Sequence, residues 1–454
     1  MVKNRKTRKK VWLIPVFVIL FLLLAAVIVG VILMWPAEKK IEEEETYTGI
    51  PTMHISLGET TLEEINNNDK DIKYPNNSVE LFYGKTNLFY DNVEIKGRGN
   101  FSWLADKKSY RIKFDNKVDL LGMGKKRKWA LVANSVDSTL MRNDLAYYLA
   151  EITSVKHQLR GEFVNLIVDE EDLGVYYLIK TAEIDKKAID LRDPYGVMIE
   201  LDNAYCHKEE NRYETNGGDC LVVKDIVAED NLDAVMKNFV GDFNAFLSAL
   251  KKKDSQKIED IIDLESFVRY YLVSELTANP DAYVTSWYMY KDGYDDKIHA
   301  GPMWDFDAAF GNYEWGGMAE GFYEPTTMMG RFEYFYEKKK GNNYCQYDRT
   351  KPLGGGVSTS WVMCDLLEVP EFRELANEIY LRDFRGKREQ LISHINEVAD
   401  RISEAAKRDA EIWGKNDFDD AVKYLIDWVN KRFDVFDELF MNNMENLIDK
   451  ATTT

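Results

Sequence analysis

Short apolar segments typical of strands fill the first half of the chain. The alternation is clearest at 110–114, where three apolar residues face one side while Arg111 and Lys113 face the other. Similar segments predict further strands at 79–83, 88–90, 93–95, 129–132, 163–168, 175–179, 197–201 and 221–224. The first half is therefore predicted to be rich in strands.

One helix interrupts these strands, and helices dominate after residue 230. The first helix is predicted to be capped by Asp137 or Ser138 and to end near Glu151. The later predicted elements are helices at 231–252, 264–277 and most of 361–449, strands at 286–291 and 297–303, and a Gly- and aromatic-rich connection at 312–360. We expect an α+β fold with a strand-rich lobe at 51–229 and a helix-rich lobe at 230–450.

The N-terminus combines a basic segment with a long uncharged one. Residues 1–10 carry six Lys or Arg side chains and no acid, and residues 11–35 carry no charge. This run is long enough to span a bilayer and longer than the apolar region of a cleavable signal peptide, so we favour an anchor over a signal peptide or a buried core helix. The positive-inside rule keeps residues 1–10 in the cytoplasm. We expect a single-pass protein of the cell membrane, with a linker at 36–50 and everything after it outside the cytoplasm.

Charge and cysteine content narrow the range of partners. The net charge of −19 at pH 7 disfavours nucleic acid and favours basic partners or divalent cations, although an acidic surface is also an ordinary route to solubility. The four cysteines show no C-x-x-C spacing, so we do not expect a zinc site. Outside the cytoplasm the sequence leaves two bridges open, Cys206–Cys220 and Cys345–Cys364, with free thiols as an equal alternative.

Several common catalytic motifs are absent from the sequence. The five histidines are scattered, and the chain has no G-x-S-x-G, H-E-x-x-H, Walker A or G-x-G-x-x-G motif. Hydrolase triads and zinc peptidases therefore have little support. The remaining carboxylates and cations stand in an order that suits phosphoryl transfer, which needs a cation on the nucleotide phosphates, carboxylates for Mg²⁺ and a base near the attacking hydroxyl.

Two cations of the strand-rich half are candidates for phosphate binding. Lys113 stands on a strand ahead of a helix, as the phosphate-binding lysine of a kinase does, although a lone strand lysine is usually a solvated surface residue. Arg98 lies in the segment 96–100, whose two glycines leave backbone amides free to cradle a phosphate. That segment also fits a simple tight turn.

Three aspartates of the second half are candidates for the chemistry. Asp305-Phe306-Asp307 resembles the metal-binding Asp-Phe-Gly of kinases with the glycine replaced, and two carboxylates at a strand end can approach one or two metal ions. The alternative is a strand-end turn capped by aspartate. Asp281 follows a helix in Asn279-Pro-Asp, where it suits the aspartate that accepts the hydroxyl proton, but this tripeptide is also an ordinary turn signal.

Eight ordered segments together resemble the signature blocks of the spore-coat protein H (CotH) kinase family. Examples are Lys-Gly-Arg-Gly-Asn-Phe-Ser-Trp at 96–103 and Gly-Pro-Met-Trp-Asp-Phe-Asp-Ala-Ala-Phe-Gly at 301–311. The other blocks lie at 107–114, 120–129, 140–143, 173–176, 275–281 and 286–290. The resemblance runs from about residue 50 to 440, with one small departure at Phe101, where family members often have a small hydroxyl residue.

The resemblance implies an atypical, two-lobed, protein-kinase-like fold that binds ATP with a divalent metal, Mg²⁺ or else Mn²⁺ or Ca²⁺. It implies phosphorylation of serine or threonine in surface, secreted or coat proteins. By motif, Asp281 is the expected catalytic aspartate, Asp305 the metal-binding aspartate and Lys113 the phosphate-binding lysine.

Four further residues are secondary candidates. Arg98, Arg142 and Glu183 are expected near the nucleotide, and Asp307 near the metal. Ser286 stands five residues after Asp281, where ordinary kinases have a metal-binding asparagine, so Asp307 is the natural substitute. The glutamate that would pair with Lys113 stays open among three residues, Glu151, Glu162 and Glu183.

Three functions remain in competition. The first is an active extracytoplasmic kinase. The second is a catalytically inactive, kinase-like surface-assembly or binding protein that uses its acidic face and the 312–360 connection to hold basic partners. The third is a glycan hydrolase that would need Asp305 and Asp307 roughly 5 Å or more apart on either side of a sugar.

Overall fold

The computed structural model describes residues 49–100, 102–312, 324–325, 360–415 and 417–441. Within these residues the fold is α+β, with strands concentrated before residue 230 and helices after it, as predicted. The basic tail, the anchor at 11–35 and nearly all of the linker lie outside the described residues, as does most of the 312–360 connection. In the part of the chain that is described, no helix is long and apolar enough to cross a membrane.

Seven strands of the first half form one closed sheet. They are β1 Thr52–Ser56, β2 Tyr74–Tyr83, β3 Thr86–Arg98, β4 Ser109–Val118, β5 Lys126–Val132, β6 Glu162–Val168 and β7 Glu171–Lys180. The strand order is β1-β2-β3-β4-β5-β7-β6. A parallel pairing of β1 with β6 closes the sheet, and the other neighbours pair antiparallel.

The alternation at 110–114 decides which side chains fill this closed sheet. Tyr110, Ile112 and Phe114 are buried in its interior together with Trp129 of β5. Burial of apolar surface stabilises the fold by about 25 cal/mol per Å². Lys113 lies on the opposite, outer face of β4 and stays partly exposed.

The described residues of the first half include two α-helices, α1 Leu62–Asn67 and α2 Arg142–Ile152. Helix α2 begins after the cap that the sequence predicts. The Asp137 carboxylate accepts hydrogen bonds from the N–H groups of Thr139 and Arg142, both at 2.9 Å. Residues 137–141 therefore form a separate turn before the helix, where the sequence predicted the first helical turn.

A second sheet is built from β8 Gly196–Leu201, β9 Arg212–Glu214, β10 Cys220–Ile226, β11 Trp287–Asp292 and β12 His299–Ala300. Its order is β12-β11-β8-β10-β9, and every residue of β8 is buried. Strand β12 is shorter than the predicted strand at 297–303. It ends because Gly301 has a φ of +113° and Pro302 has no N–H to donate.

The described helices of the second half are α3 Leu232–Lys252, α4 Ser255–Ile261, α5 Leu264–Leu276, α6 Val362–Leu367, α7 Pro370–Ile379, α8 Arg388–Trp413 and α9 Phe418–Met441. Helix α8 is tied to the closed sheet by a buried ion pair between Lys107 and Asp409. The same carboxylate accepts the N–H of Val175 in β7 at 2.8 Å. This contact fixes the two halves of the chain against each other.

The cysteines are oxidised where the structure describes them. Cys206 and Cys220 form a disulfide with their Cα atoms 6.4 Å apart, one of the two pairings left open by the sequence. Cys364 is disulfide-bonded as well. Cys345, its predicted partner, lies outside the described residues.

Candidate active site

The segments that carry Asp281 and Asp305 are bonded to each other. Asp281 lies in the turn after α5, whereas Asp305 and Asp307 follow β12. Asn279 Nδ2 donates to the carbonyl oxygen of Asp305 at 3.1 Å, and Ser286 Oγ donates to Asp305 Oδ2 at 3.4 Å. The fold therefore brings together the predicted catalytic aspartate and the two predicted metal ligands.

Burial and mutual repulsion raise the pKa values of these carboxyl groups. Burial, followed by the charges of Asp305 and Asp202, raises the pKa of Asp281 to about 7. Burial also raises the pKa of Asp307 well above its usual range, and the charges of Asp305, Asp281 and Asp137 add to the effect. Carboxylates that repel one another in a water-poor site are stabilised by a cation, and such shifted pKa values are typical of functional sites.

Arg98 approaches Asp305 from the end of β3. Burial raises the pKa of Asp305, while the Arg98 charge and the Ser286 hydrogen bond act in the opposite direction. The Arg98 guanidinium also lies 5.4 Å from the ring centroid of Trp304, a favourable cation–π distance. Asp281, Asp305 and Asp307, which we name the acid cluster, therefore lie where the closed sheet meets the second half of the chain.

Two acids at the end of β8, Glu200 and Asp202, also belong to this site and were missed by the sequence analysis. Asp202 Oδ1 accepts the hydroxyl of Thr285 at 3.0 Å, and Glu200 Oε1 accepts the N–H of Ser286 at 3.1 Å. Both acids thus hold the turn that contains Asp281. One signal was available, because Glu200 is an acid inside an otherwise apolar strand, and buried acids are rare unless they are paired.

Lys224 of β10 supplies a second cation near the acid cluster, where it pairs with Glu200. Its Nζ lies 2.7 Å from Glu200 Oε2. Burial raises the pKa of Glu200, Lys224 lowers it, and the charges of Asp202 and Asp305 raise it further. Glu200 is therefore electrostatically linked to the same acids as Asp281.

Lys113 lies opposite Glu94 of β3 and Lys128 of β5. In the described part of the chain, Glu183 pairs with Lys128 at 2.7 Å and Lys126 at 3.4 Å, and not with Lys113. The lysine–glutamate pair of this region is thus Lys128–Glu183, and the phosphate contact of Lys113 stays a prediction. The other two candidate glutamates form ion pairs elsewhere, Glu151 with Arg160 and Glu162 with Arg401.

Arg142 is buried at the start of α2. Only 1% of it is exposed, and it forms an ion pair with Asp137. Asp137 in turn contributes to the raised pKa of Asp307. The structure thus places Arg142 next to the acid cluster as the counter-ion of Asp137, and its contact with a nucleotide is untested.

This site offers few protein ligands to a metal ion. Among the residues that the structure describes, no group of three or more His, Cys, Asp or Glu side chains is arranged to hold one. Asp305 and Asp307 offer two carboxylates. Mg²⁺ in phosphoryl-transfer sites usually takes one or two carboxylates and completes its shell with substrate phosphates and water. The acids present fit a metal bound in that way.

A protein-family model described as CotH kinase protein matches residues 95–436, which is most of the chain. The match begins later than the start near residue 50 that the resemblance suggested. It includes Arg98, Lys113 and the three aspartates of the acid cluster. No curated protein matches the chain closely enough to count as a relative.

Proposed function

The chain belongs to the CotH kinase family, and we propose on this basis that it transfers the γ-phosphate of ATP to serine or threonine side chains of proteins. The observation that carries the proposal is the convergence of Asp281, Asp305 and Asp307 where the closed sheet meets the second half. The family favours phosphoryl transfer over the glycan hydrolase alternative. A two-lobed, kinase-like arrangement, with ATP between the halves, is part of the proposal.

The three aspartates have separate roles in this proposal. Asp281 accepts the proton of the attacking hydroxyl, and its pKa of about 7 suits a general base at neutral pH. Asp305 and Asp307 hold Mg²⁺, with Mn²⁺ or Ca²⁺ as alternatives. The metal would neutralise charge on the β- and γ-phosphate oxygens.

Basic side chains on the outer face of β3, β4 and β5 support phosphate binding. Lys96 stands opposite Arg111, and Lys113 opposite Lys128. Arg98 lies on the same face, two residues along β3. Asp71 pairs with Lys96 and Glu183 pairs with Lys128, and a bound phosphate would supply a further anion to these cations. We name these five residues the basic face and propose that it binds the ATP phosphates.

Glu183 has an orienting role in this arrangement. Its ion pair with Lys128 fixes a lysine beside Lys113, on the face that would meet the nucleotide. Glu183 therefore acts on ATP through Lys128, as the glutamate of a kinase acts through its paired lysine.

We also propose that residues 11–35 anchor the protein in the cell membrane, with the N-terminus in the cytoplasm and the kinase region outside. The uncharged run and the basic residues before it support this orientation. The Cys206–Cys220 disulfide is typical of an oxidising compartment. The substrates would then be surface, secreted or coat proteins, and the net charge of −19 favours basic ones.

A kinase-like binding protein without catalysis is the second candidate. Ser286 stands where ordinary kinases have a metal-binding asparagine, and its hydroxyl is already bonded to Asp305. In this case the acid cluster would bind a cation or a basic partner, and Asp281→Asn would leave function unchanged.

Transfer of labelled phosphate tests the proposal. Full-length protein in detergent is incubated with γ-labelled ATP, one of Mg²⁺, Mn²⁺ or Ca²⁺, and a basic, serine-containing protein. We expect label on the substrate or on the enzyme itself with the wild type, none with Asp305→Asn, and wild-type labelling with Asp400→Asn, which alters an exposed acid of α8. Absence of label with every metal, together with no ATP-induced rise in melting temperature, would favour the binding protein.

A further inference from the structure

Two residues of α2 bond the backbone at the metal-binding candidate. Asn143 Oδ1 accepts the N–H of Phe306 at 2.8 Å, and the Tyr147 hydroxyl accepts the N–H of Asp305 at 3.3 Å. Asn143 and Tyr147 are four residues apart, so they lie on the same face of the helix, one turn apart. Each is only 3% exposed.

The backbone at Asp305 needs such support. Its φ is +66°, in the left-handed region that residues other than glycine seldom adopt. The direction of the Asp305 carboxylate depends on this conformation. The two hydrogen bonds from α2 hold the amides of residues 305 and 306 and therefore favour it over the extended alternative.

Ring contacts add to the hydrogen bonds. The Tyr147 ring stacks on Trp304 at a centroid distance of 6.0 Å and meets Phe306 edge-on at 6.2 Å. Tyr147 thus contacts the residues on both sides of Asp305. A phenylalanine in its place would keep these contacts and lose only the hydroxyl.

The orientation of the Asn143 amide is itself fixed. Its Oδ1 accepts the Tyr147 hydroxyl at 3.1 Å, and its Nδ2 donates to Asn134 Oδ1 at 3.0 Å. Asn134 Nδ2 donates in turn to the carbonyl oxygen of Leu140 at 2.7 Å. This chain of bonds keeps the acceptor oxygen of Asn143 directed at Phe306.

We propose that Asn143 and Tyr147 are positioning residues that hold Asp305 in its left-handed conformation and so direct its carboxylate into the acid cluster. The kinetic consequence rests on the proposed kinase function, whereas the effect on the backbone does not. Both side chains are buried and bonded to the backbone of residues 305 and 306. Each acts through Asp305.

Hydrogen exchange at residues 303–308 tests the proposal, with mass spectrometry of the full-length protein as the readout. We expect Tyr147→Phe and Asn143→Ala to speed exchange of this peptide about threefold to tenfold, because each removes a hydrogen bond from a held amide. Tyr380→Phe is the matched control, since it deletes the hydroxyl of another buried tyrosine, which donates to Asp437 at 2.8 Å. It should leave exchange at 303–308 unchanged.

Kinetics give a second readout where the wild type is active. Both variants should lower kcat and raise the metal concentration for half-maximal rate severalfold, with the KM of the protein substrate unchanged. General destabilisation would not produce that split. If the wild type transfers no phosphate, the kinase proposal fails. Hydrogen exchange then still tests the positioning role of Asn143 and Tyr147. Exchange at 303–308 equal to wild type in Tyr147→Phe, or faster to the same degree throughout the chain, would overturn it.

Discussion

The guanidinium of Arg98 lies 5.4 Å from the ring centroid of Trp304, the residue that directly precedes Asp305. Arg98 ends β3 of the closed sheet, whereas Trp304 belongs to the second half. The contact joins the basic face to the acid cluster. The same charge lowers the pKa of Asp305 against the raising effect of burial, so the ionisation of this acid depends on the contact between the halves.

Replacing Arg98 should therefore make phosphate transfer more sensitive to acid. In Arg98→Gln the positive charge is lost, the pKa of Asp305 rises, and less carboxylate is present at a given pH. We expect the ratio of the variant rate to the wild-type rate to be about threefold to tenfold lower at pH 6 than at pH 9. Rates measured across that range give the answer, with Arg192→Gln on an exposed loop as the control. A ratio that stays constant with pH would contradict this electrostatic role.

Asp281→Asn should stabilise the folded protein while removing the proposed general base. The pKa of Asp281 is about 7 in the folded protein, against an ordinary value of 3.8, so the folded state binds the extra proton. The stability contributed by protonated Asp281 is present below the unfolded pKa and is lost as the pH rises through 7. An asparagine does not ionise and avoids that loss.

The gain in stability of Asp281→Asn should thus grow between pH 4 and pH 8 and level off above it. Because Asp281 keeps some exposure, we expect an increase in the free energy of unfolding on the order of 1–3 kcal/mol at pH 8. Urea unfolding without divalent metal measures it. Equal stability of the two proteins at pH 8 would show that the Asp281 carboxylate is not under electrostatic strain.

Removing one partner of the buried Lys107–Asp409 pair should destabilise the fold strongly. Asp409→Ala leaves a buried ammonium without its counter-ion and removes the acceptor of the Val175 N–H. We expect a loss of about 3–5 kcal/mol in the free energy of unfolding. The control is Glu162→Ala, which breaks an exposed ion pair with Arg401 and should cost less than about 1 kcal/mol. Similar losses in both variants would mean that the buried pair does not hold the halves together.

Local patterns predicted the parts of the fold that depend on neighbouring residues. The alternation around Ile112 fixed the inner and outer faces of β4, because side chains in a strand alternate whatever the strand pairs with. The short length of β12 depends on Gly301 and Pro302, and both were visible in the sequence although the strand was predicted too long. Helix α2 was predicted to begin too early. The Asp137 carboxylate accepts the N–H of Arg142, five residues further along the chain, and the helix begins only there.

The candidate site was predictable only in part. Family blocks pointed to Asp281 and Asp305, but no local pattern shows that a turn after α5 meets a segment after β12. Glu200 and Asp202 were missed because their role depends on β8 lying between β10 and β11. The Lys128–Glu183 pair was missed for a similar reason, since it needs β5 and the chain after β7 to lie side by side.

The catalytic assignment of Asp281 is the central claim, and single-turnover transfer tests it most directly. Full-length wild type and Asp281→Asn are each held in excess over labelled ATP with saturating substrate protein and the preferred metal, and ATP binding is quantified in the same samples. We predict unchanged ATP binding in the variant and a rate of phosphate transfer lower by about 100-fold or more, because the general base is gone. Transfer at the wild-type rate by a variant that binds ATP normally would contradict the account.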